Sequence, residues 1–189
     1  MDDQREVIAF LSDASSYGGT DVTVEHIVTH CSIIFLVGDR AYKLKRAVSF
    51  SYLDYSTVAR RENFCRAELA VNRRTAPAIY LRVRAVTRRR EGGLAFDGDG
   101  PVVDWVLEMR RFGEADLFDR MAEAHRLTPA LMRDLADIIA EFHRSAEIVT
   151  GRGGRVSLDA TIVTNTSHLY SGKDLPDICE GGGWGGQRE

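Results

Sequence analysis

The chain has 189 residues, of which 44% are hydrophobic and 28% are charged, and its formal net charge is −3. This length allows one domain, or one and part of a second, with enough apolar residues for a core. The charge argues against a general affinity for nucleic acid, and no apolar run reaches the roughly 18 residues that a membrane span needs.

The cysteines and the N-terminal residues both indicate a cytoplasmic location. The three cysteines, Cys31, Cys65 and Cys179, lack C-x-x-C spacing and predict no metal site. The opening "MDDQREVIAFL" has neither a basic region nor a long apolar run, so it does not resemble a signal peptide. We therefore expect a soluble cytoplasmic protein of bacterial type, with its thiols reduced.

Charge is unevenly distributed along the chain. The segment from Arg40 to Arg90 carries fourteen Lys or Arg against Asp54, Glu62 and Glu68, a net of +11, which leaves −14 for the rest. Such asymmetry indicates an anionic ligand near the basic half. The alternative is a set of solvated faces that the acidic half neutralises.

The first half of the chain predicts a helix, three strands and a second helix. The first helix covers Glu6 to Leu11, and the second runs from about Thr57 to Arg74, with Asp54 or Ser56 as capping candidates. The three strands lie in "DVTVEHIV", "SIIFLVG" and "RAYKLKRAV", and the Gly-Asp dipeptide before the third is a hairpin signal.

The second half begins with strands and continues with helices. Strands are predicted at Tyr80 to Arg88 and Pro101 to Phe112, with a short one at Leu94 to Phe96. A short helix at Ala115 to Ala124 precedes a longer one that starts after Thr128-Pro129. Strands followed by helices predict an α+β fold with an antiparallel sheet. Residues 151–189 are glycine-rich and predict a loosely ordered tail, in which "RVSLDATIVTN" could form a strand.

Two lysines and one glutamate are the strongest candidates for chemistry. Lys43 and Lys45 occupy alternate positions of the third strand and so share a face. Glu68 lies on the following helix between Phe64 and Val71, on its apolar side, where an unpaired carboxylate would be costly. Its partner is predicted to be a strand lysine, as in protein kinases, or else Arg61 or Arg74 of its own helix.

Two further segments have weaker signals for binding. The turn from Thr29 to Ser32 could offer amides and hydroxyls to phosphate oxygens, although it has no G-x-G-x-x-G or Walker sequence and an ordinary polar hairpin is the alternative. The strand "WVLEMRRF" leads into polar residues, where exposed backbone would suit adenine, or where the strand simply ends.

Taken together, "HCSIIFLVGDRAYKLKRAV", "FCRAELAV", "VDWVLEMRRF", "LFDRM" and "LADIIAEFHRSAE" resemble the aminoglycoside phosphotransferase-like family. They are most similar to bacterial proteins in which such a domain precedes a P-loop ATP-binding domain. The resemblance covers roughly Val7 to Glu147. It implies a protein-kinase-like small lobe over residues 1–112, with an antiparallel sheet and one helix, then the first helices of a helical lobe over 113–150.

The resemblance also implies a nucleotide site that takes ATP and Mg²⁺. Lys45 or Lys43 would meet the α- and β-phosphates, with preference for Lys45, and Glu68 would be the ion-pair partner. The loop over the phosphates would be formed by Thr29, His30, Cys31 and Ser32. The backbone of Glu108, Met109 and Arg110 would be the hinge that meets adenine. The phosphoryl acceptor would be a small molecule that the sequence does not identify.

The family's catalytic motif, of the form H-G-D-x-H-x-x-N, has no counterpart after Glu147. Neither Asp159 nor Asn165 lies in such a pattern, so no catalytic residue or metal ligand is assigned. Without them, phosphoryl transfer loses most of its acceleration. We expect a chain that is truncated or frameshifted before the catalytic loop. The alternatives are a non-enzymatic module that binds nucleic acid or another polyanion, and a pseudokinase-like interaction domain.

Overall fold

The computed structural model describes residues 3–19, 22–148 and 154–171. These residues contain the strands β1 (Val24–Val28), β2 (Ser32–Val37), β3 (Arg40–Lys45), β4 (Ser49–Phe50), β5 (Leu53–Asp54), β6 (Tyr80–Arg88), β7 (Leu94–Phe96) and β8 (Val102–Arg110). The helices are α1 (Arg5–Ser12), α2 (Val58–Asn72), α3 (Phe118–Glu123), α4 (Pro129–Ser145) and α5 (Arg155–Ser171), with short 3₁₀ turns at Ala14–Tyr17 and Glu114–Asp116.

The fold is α+β and its main element is an antiparallel sheet, as the sequence predicts. Six strands pair in the order β1-β2-β3-β8-β6-β7, and β4 and β5 form a separate small hairpin. The hairpin between β2 and β3 turns at Gly38, whose φ of 54° lies in the region that glycine adopts most readily. Its register places Ser32 opposite Lys45 and Ile34 opposite Lys43.

The two faces of the sheet carry different apolar clusters. On one face, α1 packs Val7 and Leu11 against buried residues of five strands, including Phe35, Leu44 and Val106. The opposite face has a smaller buried cluster formed by Ala41, Leu107 and Met109, against which Leu69 of α2 packs. Because side chains alternate along a strand, the face that receives α2 is also the face of Lys43 and Lys45.

Helix α2 begins just after the predicted capping residues. Thr57 is the N-cap, and its hydroxyl accepts a hydrogen bond from the Arg60 amide at 3.3 Å. Asp54 instead accepts from both the amide and the hydroxyl of Ser56, at 3.0 and 2.6 Å. The prediction of Asp54 or Ser56 as the cap was therefore wrong, because those two side chains form a turn that precedes the helix.

The described residues divide into two units, one ending at Ala124 and the other beginning at His125. In the second unit, α4 starts at the predicted proline, and the Thr128 hydroxyl accepts from the Leu131 amide at 3.2 Å. The strand considered for residues 155–165 is instead part of helix α5. The rest of the predicted tail, residues 151–153 and 172–189, lies outside the described residues.

Helix α5 shows how spacing can outweigh β-propensity. Its β-branched residues favour a strand, but Arg155 and Asp159 form an i,i+4 ion pair at 3.5 Å, a contact that the helical period provides. Within residues 3–19, 22–148 and 154–171, no helix combines the length and the apolar character that crossing a bilayer requires.

The observed cap of α2 gives a prediction about stability. Thr57→Ala should lower the free energy of unfolding by about 1 kcal/mol, because the Arg60 amide loses its acceptor. Urea unfolding of the variant measures this loss. Ser56→Ala, which leaves the cap intact, is the matched control and should cost less; an equal or larger loss in the control would contradict the assignment of Thr57 as the cap.

Candidate functional site

One carboxylate on α2 binds both lysines of β3. Glu68 Oε2 accepts a hydrogen bond from Lys45 Nζ at 2.6 Å, and Glu68 Oε1 accepts one from Lys43 Nζ at 2.8 Å. The pair between a strand lysine and the following helix, predicted from the sequence, is therefore present. Arg61, the local partner considered for Glu68, binds Asp104 at 2.7 Å.

The site forms because the two-residue repeat of β3 and the 3.6-residue repeat of α2 place the lysines and Glu68 on surfaces that face each other. Lys43 and Lys45 are two residues apart on β3 and point to the α2 face together. Glu68 lies two helical turns after Arg61 and one after the fully buried Cys65, on the stripe of α2 that faces the sheet. The sequence placed Glu68 on the right side of the helix for a wrong reason, because Phe64 and Val71 are 41% and 62% exposed.

The two lysines differ in their access to solvent. The Lys45 side chain is 3% exposed, and its ammonium also lies 3.4 Å from the Tyr55 hydroxyl and 4.8 Å from the centre of the Tyr55 ring. The Lys43 side chain is 27% exposed. Lys45 is thus enclosed by Tyr55 and Glu68, whereas Lys43 has an open side on which a ligand could approach.

Burial and pairing oppose each other in the pKa values of this cluster. Burial disfavours the charged form of Lys45, but the hydrogen bond and charge of Glu68 outweigh it and raise the pKa of Lys45. Burial likewise favours protonated Glu68, yet the two lysines lower its pKa below the ordinary value. Burial raises the pKa of the neighbouring Cys65 thiol to about 12. At neutral pH Lys45 is therefore an ammonium group, Glu68 a carboxylate and Cys65 a neutral thiol.

Two cations on one carboxylate leave the cluster one positive charge in excess. The nearby carboxylate of Asp104 does not balance it, because Asp104 is fully buried and bound to Arg61. The amine with access to solvent is that of Lys43. An anionic group placed beside Lys43 would complete the charge balance, and a phosphate has the required charge and hydrogen-bond acceptors.

The turn from Thr29 to Ser32 lies at the end of β3 that carries Lys45. The Ser32 amide donates to the Thr29 hydroxyl at 3.0 Å, the Thr29 amide donates to the Ser32 carbonyl at 2.8 Å, and Arg46 donates to the Thr29 carbonyl at 2.9 Å. These bonds hold the turn closed. Among the described residues, no acceptor binds the intervening amides of His30 and Cys31.

The segment predicted as a hinge is part of the sheet. Met109 pairs with Ala41 on one side of β8 and with Tyr80 on the other, and the Arg110 amide donates to the Ile79 carbonyl at 2.8 Å. The carboxylate of Glu108 is bound by Arg82 at 2.7 Å.

Strand pairing continues one residue beyond this segment, because the Arg111 amide donates to the Asp39 carbonyl at 2.8 Å. The expectation that the backbone of Glu108, Met109 and Arg110 is open to a ligand is therefore corrected: strands on both sides already use it. The chain leaves the sheet at Phe112 and Gly113.

An apolar surface adjoins the lysines on the same face of the sheet. Ile34 and Leu36 of β2 pack against the buried cluster of Ala41, Leu107 and Met109 and are themselves only partly buried. The surface offers methyl and methylene groups beside an excess positive charge. That combination suits a ligand with a flat apolar ring and an anionic tail.

Sequence reasoning missed the buried polar residues that surround the lysines. Gln4, Arg61 and Asp104 are 8%, 0% and 0% exposed, and Gln4 and Arg61 each donate a hydrogen bond to Asp104. Asp104 gave a usable signal, since it is a charged residue inside the apolar strand "VVDWVLEM" and must have a partner there. Gln4 gave no such signal, because a glutamine near the N-terminus is ordinarily solvated.

Residues 3–19, 22–148 and 154–171 contain no group of three or more His, Cys, Asp or Glu side chains placed to hold a metal ion. The carboxylate nearest the proposed phosphate position, Glu68, is engaged by two lysines. No chemical step is therefore assigned to a metal within this part of the chain.

Comparison with known proteins finds similarity to uncharacterized proteins of Mycobacterium bovis and of two Mycobacterium tuberculosis strains. Each is 29% identical to this chain over 119 residues, which is 63% of the chain. The matched region is 22% of each mycobacterial protein, so the chain spans about a fifth of the length of these curated relatives. No family model and no solved structure matches the chain.

The depressed pKa of Glu68 predicts how the cluster depends on pH. Its folded pKa lies below the ordinary value of 4.5, so its contribution to stability is complete above pH 4.5 and is lost as the pH falls through the folded pKa. Glu68→Gln should lower the free energy of unfolding at pH 7 by about 2–4 kcal/mol, because two ammonium groups lose their carboxylate.

Urea unfolding of both proteins from pH 7 down to pH 3 measures this dependence. The difference in the free energy of unfolding between wild type and Glu68→Gln should become smaller below pH 4.5. Glu62→Gln is the matched control on the same helix, and its i,i+4 pair with Arg66 should contribute about 0.5 kcal/mol or less. A difference between wild type and Glu68→Gln that stays constant through the acid range would contradict the pairing.

Proposed function

We propose that this chain is the nucleotide-binding part of a small-molecule phosphotransferase of the aminoglycoside phosphotransferase-like class. The observation that carries the proposal is Glu68 on α2, which binds Lys43 and Lys45 of β3 at 2.8 and 2.6 Å. The excess positive charge of the cluster is then accessible to a ligand through the partly exposed side chain of Lys43.

The connectivity around this cluster supports the proposal. Protein kinases place a lysine on their third strand, pair it with a glutamate on the next helix, and direct that lysine to the α- and β-phosphates of ATP. Here, too, the lysines lie on the third strand and the glutamate on the next long helix, α2. In the sheet order, β8 lies next to β3, and the C-terminal end of β8 pairs with the first residues of β3, with Arg110 opposite Arg40.

The described residues fit the parts of a nucleotide. Lys43, with its open side, would bind a phosphate oxygen, while Lys45 holds Glu68 in place; exposure thus favours Lys43 over the lysine preferred from sequence. The amides of His30 and Cys31 would bind further phosphate oxygens. The apolar surface at Ile34 and Leu36 would receive the purine ring, and the main chain after Arg111 would meet its edge.

The proposal is one of binding rather than of complete catalysis. Phosphoryl transfer needs a residue that orients the acceptor and ligands for the metal, and neither is assigned to the described residues. The acceptor and a P-loop ATPase domain as partner come from the resemblance alone. A pseudokinase-like interaction domain would share the nucleotide site and differ in having no acceptor.

A polyanion-binding function has less support. Seven of the twelve arginines in the segment with net charge +11 form ion pairs with carboxylates: Arg40 and Arg82 with Glu108, Arg60 with Asp54, Arg61 with Asp104, Arg66 with Glu62, Arg84 with Asp97 and Arg88 with Glu6. Binding a long polyanion through released counterions requires cations that are not already paired with carboxylates.

Nucleotide binding by the full chain tests the proposal. Mg²⁺-ATP in tenfold excess over its dissociation constant should stabilise the fold by about 1.4 kcal/mol and raise Tm by about 3–6 °C. Lys43→Ala should abolish most of this rise, because the phosphate loses its accessible cation. Thermal unfolding monitored by circular dichroism, with and without the nucleotide, measures the effect.

Arg88→Ala is the matched control, since Arg88 is a basic residue paired with Glu6 outside the cluster. It should retain the full rise, and adenosine should give a smaller rise than ATP. A wild-type Tm that does not respond to millimolar Mg²⁺-ATP would overturn the proposed function.

A further inference from the structure

Gln4 occupies a helix-capping position but does not cap its helix. It is the N-cap residue of α1, where Ser, Thr, Asp or Asn ordinarily bind the first amides, and its side chain makes no such bond. The side chain is 8% exposed and turns instead toward the end of β3. A residue that breaks a local rule while being buried has been placed there by longer-range contacts.

Every hydrogen-bonding group of the Gln4 amide is used. Its Nε2 donates to the carbonyl oxygen of Lys45 at 2.9 Å and to Asp104 Oδ2 at 2.8 Å. Its Oε1 accepts from the Ala47 amide at 2.6 Å. The Gln4 side chain therefore fixes the backbone on both sides of Arg46, directly where β3 delivers the Lys45 side chain.

Asp104 extends these contacts to α2. Its Oδ1 accepts from Arg61 Nε at 2.7 Å, and Arg61 Nη1 donates to the Tyr55 carbonyl at 2.9 Å. Arg61 and Asp104 are both 0% exposed. A fully buried ion pair adds little net stability, since desolvation offsets its attraction, but it tolerates few alternative geometries.

Arg61 and Glu68 are seven residues apart on α2, so both project from the same side of the helix. The helix is thus attached to the sheet at two points, through Arg61 to Asp104 and, two turns later, through Glu68 to the lysines. Two attachments on one side fix both the position and the rotation of a helix. Loss of the first would leave Glu68 as the remaining buried polar attachment on this side of α2, beside the apolar packing of Leu69.

From these contacts we infer that Gln4, Arg61 and Asp104 form a positioning network that sets the Lys45–Glu68 pair. Gln4 holds the end of β3, Arg61 holds α2, and Asp104 on β8 connects them. All three are positioning residues, because they act on the cluster through Lys45 and Glu68. The consequence for nucleotide affinity rests on the proposed function, whereas the consequence for the ion pair does not.

Lysine reactivity reports directly on this network. The chain has three lysines, Lys43, Lys45 and Lys173. Limited acetylation followed by mass spectrometry compares Lys45 with Lys173, which serves as the internal reference. In Gln4→Leu, which keeps much of the side-chain volume but removes all three bonds, the relative reactivity of Lys45 should rise about tenfold, because α2 and β3 separate locally more often.

Glu6→Gln is the matched control, since Glu6 lies on the same helix and pairs with Arg88 with both side chains about half exposed. Its Lys45 reactivity should equal that of wild type. Arg61→Lys keeps the charge but lacks the planar guanidinium that binds both Asp104 and the Tyr55 carbonyl. The reactivity of Lys45 in this variant should therefore lie between that in wild type and that in Gln4→Leu.

The outcomes separate the network from the proposed function. A cooperative unfolding transition close to that of wild type, together with higher Lys45 reactivity and a weaker Tm response to Mg²⁺-ATP, supports the inference. Unchanged Lys45 reactivity in Gln4→Leu would overturn it, and so would global unfolding of that variant, because a positioning network leaves the fold intact. If Lys45 is more reactive in Gln4→Leu but the Tm of wild type does not respond to Mg²⁺-ATP, the positioning network is supported and the proposed nucleotide site is rejected.

Discussion

The shared carboxylate of Glu68 is the interaction on which the rest of this structure depends. Two ammonium groups on one strand repel each other and cannot be buried together without a counter-charge. Glu68 supplies it only if α2 lies across β3 with one particular rotation. The fold of the sheet-containing unit can be understood as the set of contacts that makes this rotation the stable one.

Those contacts lie on both faces of the sheet. The cluster built around Phe35 and Leu44 holds α1 to one face, and α1 carries Gln4 to the end of β3. On the other face, Leu69 packs against the smaller cluster, and Arg61 reaches Asp104. Apolar packing supplies most of the stability, while the buried polar bonds select one arrangement among those that packing would permit.

This division of roles has a consequence for the proposed nucleotide site. The residues that would meet the ligand are the partly exposed Lys43 and the turn residues His30 and Cys31, of which His30 is exposed and Cys31 is half-buried. The residues that hold them in place are buried and make no use of solvent. A binding site whose supporting contacts are buried keeps its geometry without ligand, so less of the binding energy is lost to ordering the site.

The amino-acid sequence by itself determined the six strands of the main sheet, most of the helices and the alternation that places Lys43 and Lys45 on one face, but it did not predict the short strands β4 and β5. These follow from periods of two and 3.6 residues and from turn and capping residues, which are local properties. The pairing of Lys45 with Glu68 was predicted from the cost of an unpaired carboxylate on an inward helix face. The neighbours taken to mark that face, Phe64 and Val71, are exposed, so the local pattern did not by itself place Glu68 toward the sheet.

Only the tertiary structure decided the rest. That Gln4 reaches Asp104 across one hundred positions, that Arg61 is buried while Phe64 is exposed, and that Arg110 still belongs to the sheet all depend on which elements meet. Local sequence patterns do not predict these contacts, because the partner of a buried polar group depends on how segments distant in the sequence pack together.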